Sequence, residues 1–133
     1  MKRKTWVHNY SSFLNTIYIL LLALLLHGCG IEVPPEKQDY IGEWKFDSDT
    51  LQISLMIAAD GWVEYRRSYK EENVKEEFSS ETIEVSGKIK EFKGDDFVIR
   101  VLLIKTTFKV DKPPHRDTLN WKMTVDGVEL TKK

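Results

Sequence analysis

The chain has 133 residues, with 20 basic and 21 acidic side chains and a formal net charge of −1. That length suits one domain with its own hydrophobic core. The charge balance lacks the basic excess of a nucleic-acid binder, and a single cysteine, Cys29, excludes any internal disulfide.

The N-terminal segment reads as an export signal. Lys2, Arg3 and Lys4 precede an apolar run from Ile17 to Leu26, and the first acidic residue is Glu32. As a helix this run is about 15 Å long, at about 1.5 Å per residue. A bilayer core is about 30 Å thick, so the run alone is too short to span it. A basic start, a short apolar run and a small residue before the cut are the parts of a secretory signal peptide. The other reading is an uncleaved anchor from Phe13 to Ile31, which buries Asn15 and His27 at a cost in hydrocarbon.

Leu26-His27-Gly28-Cys29 ends the segment and resembles the lipobox of bacterial lipoprotein precursors. Leu26, Gly28 and Cys29 match that pattern, and His27 stands where a small side chain is usual. The resemblance implies a diacylglycerol on the Cys29 thiol, loss of residues 1–28, and a further acyl chain such as palmitate on the new amino group. It also implies a mature protein lipid-anchored in the cell envelope. With Gly30 rather than Asp after the cysteine, a Gram-negative cell would sort it to the outer membrane, facing the periplasm. An exported chain with one odd cysteine needs a role for it, and acylation supplies that role. Two acyl chains anchor stably where one holds only marginally.

Removing Lys2, Arg3 and Lys4 leaves a mildly acidic mature chain, which does not favour anionic lipid surfaces. Residues 29–39 read as a lipidated tether. Pro34-Pro35 stiffens it toward polyproline II, and Glu32, Glu36, Lys37 and Gln38 keep it solvated, with a reach of roughly 30 Å.

From Tyr40 the apolar period is two. Tyr40, Gly42, Trp44 and Phe46 share one face of a first strand, and Leu51, Ile53, Leu55 and Ile57 one face of a second. Asp60-Gly61 is a two-residue hairpin signal. Trp62 to Tyr69 continues with Val63, Tyr65 and Tyr69 on one face. Ile83, Val85 and Ile89 mark another strand, passing a bulge or bend at Gly87. Lys93 to Asp96 is a turn. Phe97 to Ile104 is apolar on both faces, which predicts cover on both sides or a partner on the outer one. Thr106, Phe108 and Val110 extend that strand until Pro113-Pro114 ends it. Leu119, Trp121, Met123 and Val125 form the next strand, and Val128 and Leu130 return after Asp126-Gly127. Between strands, Lys70 to Glu81 is strongly charged and reads as a solvated loop. A short helical turn is its alternative, from the Val74/Phe78 and Glu71/Lys75 spacings. The pattern predicts an all-β domain over 40–133, a small antiparallel meander barrel or two-sheet sandwich of about seven or eight strands.

Gly42-Glu43-Trp44 resembles the first-strand Gly-x-Trp of the calycins, the lipocalin-like barrels that hold small apolar ligands. The resemblance implies a Trp at one barrel end with a final-strand Arg across it. Here the final strand offers Lys132 and Lys133. Trp44, Trp62 and Trp121 are the ligand or core candidates, bulky enough to fill a small barrel. Ser86-Gly87-Lys88 resembles the Ser- and Lys-bearing inhibitory loop of lipoprotein-type lysozyme inhibitors. The tail from Gly94 to Met123 resembles small exported bacterial proteins in general character only.

Catalytic signals are weak. His115 is the one histidine after Cys29, and Ser86, His115 and Asp117 have no spacing that favours a triad. Asp47, Asp49, Asp95 and Asp96 have the turn positions aspartates favour for backbone reasons, without a twelve-residue calcium loop. The expectation is a non-enzymatic protein without metal, cofactor or nucleic acid. Its first function reading is a membrane-tethered binding module for a small apolar ligand. The second is an accessory that docks an envelope protein through an exposed apolar sheet face. A dry void lined by aromatics favours the first reading, and a packed interior with an uncovered apolar outer face favours the second.

Overall fold

The structure is a computed structural model that describes residues 14–21, 30–70 and 81–133. Residues 14–21 form a helix with every side chain exposed. Among the described residues no helix is long and apolar enough to cross a membrane. Leu26, His27, Gly28 and Cys29 lie outside the described residues, as do residues 71–80, on which the expectation of a solvated loop or a helical turn falls.

Nine strands form one antiparallel sheet curled into a half-barrel. They are β1 (Gly42–Asp47), β2 (Leu51–Ile57), β3 (Trp62–Tyr69), β4 (Thr82–Lys93), β5 (Asp96–Val101), β6 (Ile104–Phe108), β7 (Val110–Asp117), β8 (Asn120–Val125) and β9 (Val128–Lys132). The sheet order is β6-β5-β4-β3-β2-β1-β9-β8-β7. The all-β meander expected from period-two patterning is present as a single sheet, which makes it barrel-like and not a sandwich.

The order fixes the curl. β6 and β7 are opposite edges of the sheet, yet only Lys109 separates them in sequence. Consecutive Cα atoms are about 3.8 Å apart, so both edges must converge at that residue. There the chain exchanges one partner strand, β5, for another, β8. Asp126 and Asp96 pin the exchange: Lys109 N–H donates to Asp126 Oδ1 at 3.1 Å, and Val110 N–H to Asp96 Oδ1 at 2.7 Å.

Three expectations about the strands are corrected. Phe97 to Val110 is not one strand. It folds back at Leu102-Leu103, so that Val101 pairs Ile104 and Phe97 pairs Phe108. Pro113-Pro114 does not end a strand but sits inside β7, where the register slips between Lys112 and His115. β7 is an edge, so the absent proline N–H leaves no ladder partner wanting. The bulge of β4 falls at Lys90, between Ile89 and Glu91, and not at Gly87. Gly87 answers to a close approach instead: a Cβ there would lie 2.5 Å from the Arg100 carbonyl oxygen.

The core fills the concave side of the sheet. Trp44, Leu55, Val63, Ile89, Phe97, Ile99 and Met123 are all 0% exposed. Phe97 stacks on Phe108 with centroids 4.9 Å apart, and Tyr65 meets Phe108 edge-on at 5.2 Å. Every buried apolar side chain among the described residues lies between Val33 and Leu130.

Residues 30–39 are not a solvated tether. Ile31 N–H donates to Ile89 O at 2.8 Å, Val33 N–H to Ala59 O at 3.1 Å, and Val33 is buried. Pro35 then starts a 3₁₀ helix, Pro35–Tyr40, a position where proline's missing N–H costs nothing. Residues 31–40 therefore pack on the sheet ahead of the period-two signal.

Candidate functional site

Three places on this frame have the residues to do something: the end of the half-barrel under Trp44, a groove on the convex face, and the β5–β6 tip.

At the barrel end, the 3₁₀ helix brings Tyr40 over the core. Trp44 donates its indole N–H to the Tyr40 carbonyl at 2.8 Å. Lys132 of the final strand lies across the same indole, its Nζ 5.1 Å from the Trp44 ring centroid and 5.8 Å from that of Trp121. It also donates to the Asp39 carbonyl at 3.0 Å. The Tyr40 hydroxyl donates to the Asp95 carbonyl at 3.1 Å. Burial, then the neighbouring Asp95 carboxylate, push its pKa far above the ordinary phenol range. Lys37 clasps Asp95 at 2.8 Å and holds that carboxyl below the usual carboxylate range. These contacts cover the Trp44 indole from both the 3₁₀ helix and the final strand.

The convex face of β1–β4 forms a groove of 520 Å³. Pairing aligns Glu43, Met56, Glu64 and Ser86 in one row and Lys45, Ser54, Arg66 and Glu84 in the next. Arg66 pairs Glu84 at 2.8 Å and Lys45 pairs Glu43 at 2.6 Å. The groove is polar and open, which suits neither a small apolar ligand nor a buried reaction.

Of the three candidate tryptophans, only Trp44 is fully core. Trp121 is half-buried against the core. Trp62 is on the convex face, 39% exposed, with its indole N–H on Glu64 at 3.1 Å. Its bulk does not fill the barrel, because Val63 and Tyr65 take the inward positions of β3.

The chemistry-bearing residues are not assembled. His115 Nδ1 is 2.9 Å from the Pro113 carbonyl, and Asp117 is held by Lys122 at 3.0 Å and Thr118 at 3.2 Å. No described hydrogen bond joins either of them to Ser86. Ser86-Gly87-Lys88 is not a loop but the middle of β4, paired with Trp62 to Glu64. Asp47 pairs Lys70, while Asp95 and Asp96 hold the contacts given above. Among the described residues no three His, Cys, Asp or Glu side chains gather as a metal site.

The β5–β6 tip is what sequence reasoning missed. Leu102 and Leu103 are 89% and 96% exposed, and Ile104 is 70% exposed. Continuous apolar patterning made them look like strand, and no Gly, Asn or Asp marked the turn. Compared with known proteins, the chain matches no protein family, no curated protein and no solved structure.

Proposed function

We propose that the chain is an envelope lipoprotein, anchored through Cys29, whose β domain is non-catalytic and acts through its outer surface. Of the two function readings, this is the accessory one. The observation that carries it is the filled interior. Trp44, Phe97, Ile99 and Met123 occupy the space an apolar ligand would need, while the groove and the exposed leucines lie outside. The anchor rests on the lipobox resemblance of Leu26-His27-Gly28-Cys29.

The test is metabolic labelling with an alkyne fatty acid. Wild-type protein should take up label and the Cys29→Ser variant should not; equal labelling of both rules the anchor out. Native mass spectrometry of the purified protein separates the two readings. An empty domain is expected, and a small apolar molecule retained inside it would restore the binding-module reading.

A further inference from the structure

Two features of the convex face over β4–β6 have no use in the fold itself. The first is the tip. Leu102 has φ 55°, a left-handed backbone that glycine and asparagine tolerate and leucine rarely adopts. Its side chain buries almost nothing, so neither turn chemistry nor packing accounts for it. Three consecutive exposed apolar residues on a hairpin end are a contact surface waiting for an apolar phase.

The second is a row of cations at the base of that tip. Pairing sets Trp62 opposite Lys88, Lys88 opposite Arg100, and Arg100 opposite Lys105. The intervening Val63, Ile89 and Ile99 are fully buried, so this row points outward. The β4 bulge adds Lys90. Like charges directly across a sheet destabilise it. Lys88 is relieved by Asp60 at 3.2 Å, but Lys90, Arg100 and Lys105 have no ion pair among the described residues. Arg100 Nε is buried without an acceptor. The Lys105 amine, then the Arg100 guanidinium, hold the Lys90 pKa below its ordinary value. Strands lie about 4.8 Å apart, so the row from Lys88 to Lys105 spans about 10 Å, and the leucines lie about 7 Å beyond it.

We propose that this face docks flat on an anionic bilayer: Leu102, Leu103 and Ile104 enter the acyl boundary while Lys90, Arg100 and Lys105 meet lipid phosphates. Charge complementarity selects the occupant, because an apolar tip with a row of cations without ion pairs at its base matches a surface that is greasy beneath and anionic above. Trp62 adds an amphipathic ring at the same level. The chain's own path agrees. Gly30, bonded to Cys29, packs against the Lys88 side chain, since a Cβ on Gly30 would lie 2.5 Å from Lys88 Cβ. On the lipoprotein reading, on which only this point depends, the anchor joins the chain next to Gly30, beside this row. The mildly acidic net charge concealed the patch, because strand pairing and not sequence proximity assembles it.

The test uses the full chain in a Cys29→Ser background, with one cysteine introduced as Leu103→Cys or, for comparison, Leu119→Cys. Leu119 is 84% exposed at the β7–β8 tip, which lacks such a row. Each is labelled with NBD and mixed with vesicles of phosphatidylcholine alone or with phosphatidylglycerol. Reduction of the label by dithionite should slow about tenfold at position 103 on the mixed vesicles, and not at position 119. Lys90→Gln, Arg100→Gln and Lys105→Gln together should abolish that protection, with the melting temperature unchanged or raised as repulsion is removed. Equal reduction at 103 and 119 overturns the proposal. So does protection that is the same on phosphatidylcholine alone, or that survives the triple change. No lipid is present on Cys29 in these chains, so failure here leaves the fatty-acid labelling result standing.

Discussion

Trp44 concentrates what a single residue does in this fold. Its ring is 0% exposed, its N–H is satisfied by the Tyr40 carbonyl, and Lys132 covers its face. Removing it leaves a cavity and a Tyr40 carbonyl without its indole donor, and takes from Lys132 one of the two rings it lies over. Trp44→Ala should cost about 3–5 kcal/mol, a large share of the about 5–15 kcal/mol that holds a domain. A urea titration would show it as a lower midpoint, and a midpoint equal to wild type would contradict the core role. The inward position of Trp44 was legible from its period-two neighbours. The outward position of Trp62 follows from the same rule, since alternation that turns Val63 and Tyr65 inward must turn Trp62 outward. Side-chain size misled where periodicity did not.

At the scale of elements, the hairpins differ in how openly they announce themselves. Asp60-Gly61 and Asp126-Gly127 are visible in sequence because their backbones need positive φ: Gly61 is at 82°, Asp126 at 48° and Gly127 at 77°. Gly61 is doubly constrained, since a Cβ there would lie 1.9 Å from the Ile31 carbonyl oxygen. Leu102-Leu103 turns the chain as sharply with none of the favoured residues. It was illegible for that reason, and the cation row beside it was illegible because its members are scattered along the sequence. Pro113-Pro114 hid an edge strand in the same way, by obeying a rule about position in the sheet that sequence alone does not supply. The strained leucine yields a prediction. Leu102→Gly should stabilise the protein by about 1 kcal/mol, by relieving the left-handed penalty without losing burial. That corresponds to a rise of about 4–8 °C in melting temperature for a domain of this size, readable by calorimetry. A lower melting temperature would show that the side chain contributes to the fold after all.

Outside the cation row, several surface carboxylates among the described residues are held by short-range partners. Asp60 is held by the Trp62 N–H and then Lys88, Asp95 by Lys37, Asp111 by the Gly127 N–H, and Asp117 and Glu129 by Lys122. Each carboxyl is thereby lowered below its ordinary value. A lowered carboxyl pKa gives stability that is complete above the unfolded value, near pH 4, and is lost as pH falls through the folded value. Tyr40, Tyr65 and Lys122 are shifted upward; their contribution is complete below the unfolded value, about pH 10, and is lost as pH rises through the folded one. The melting temperature should therefore be level from about pH 5 to 9 and decline on both sides. Asp95→Asn should flatten the acid limb, and a wild-type curve that stays level down to about pH 2 would contradict the reading.

The pairing of β1 with β9 has a consequence in time. The first strand to be synthesised finds its second neighbour only in the last, through two facing pairs, Trp44 with Lys132 and Lys45 with Thr131. The lysine that covers Trp44 also reaches the Asp39 carbonyl, 93 residues earlier. Until the final residues arrive, β1 remains an open edge and the plug over the core lacks its cation. A chain built this way cannot complete itself prematurely. Within the described residues, the sheet joins its two halves only when β9 has paired with β1.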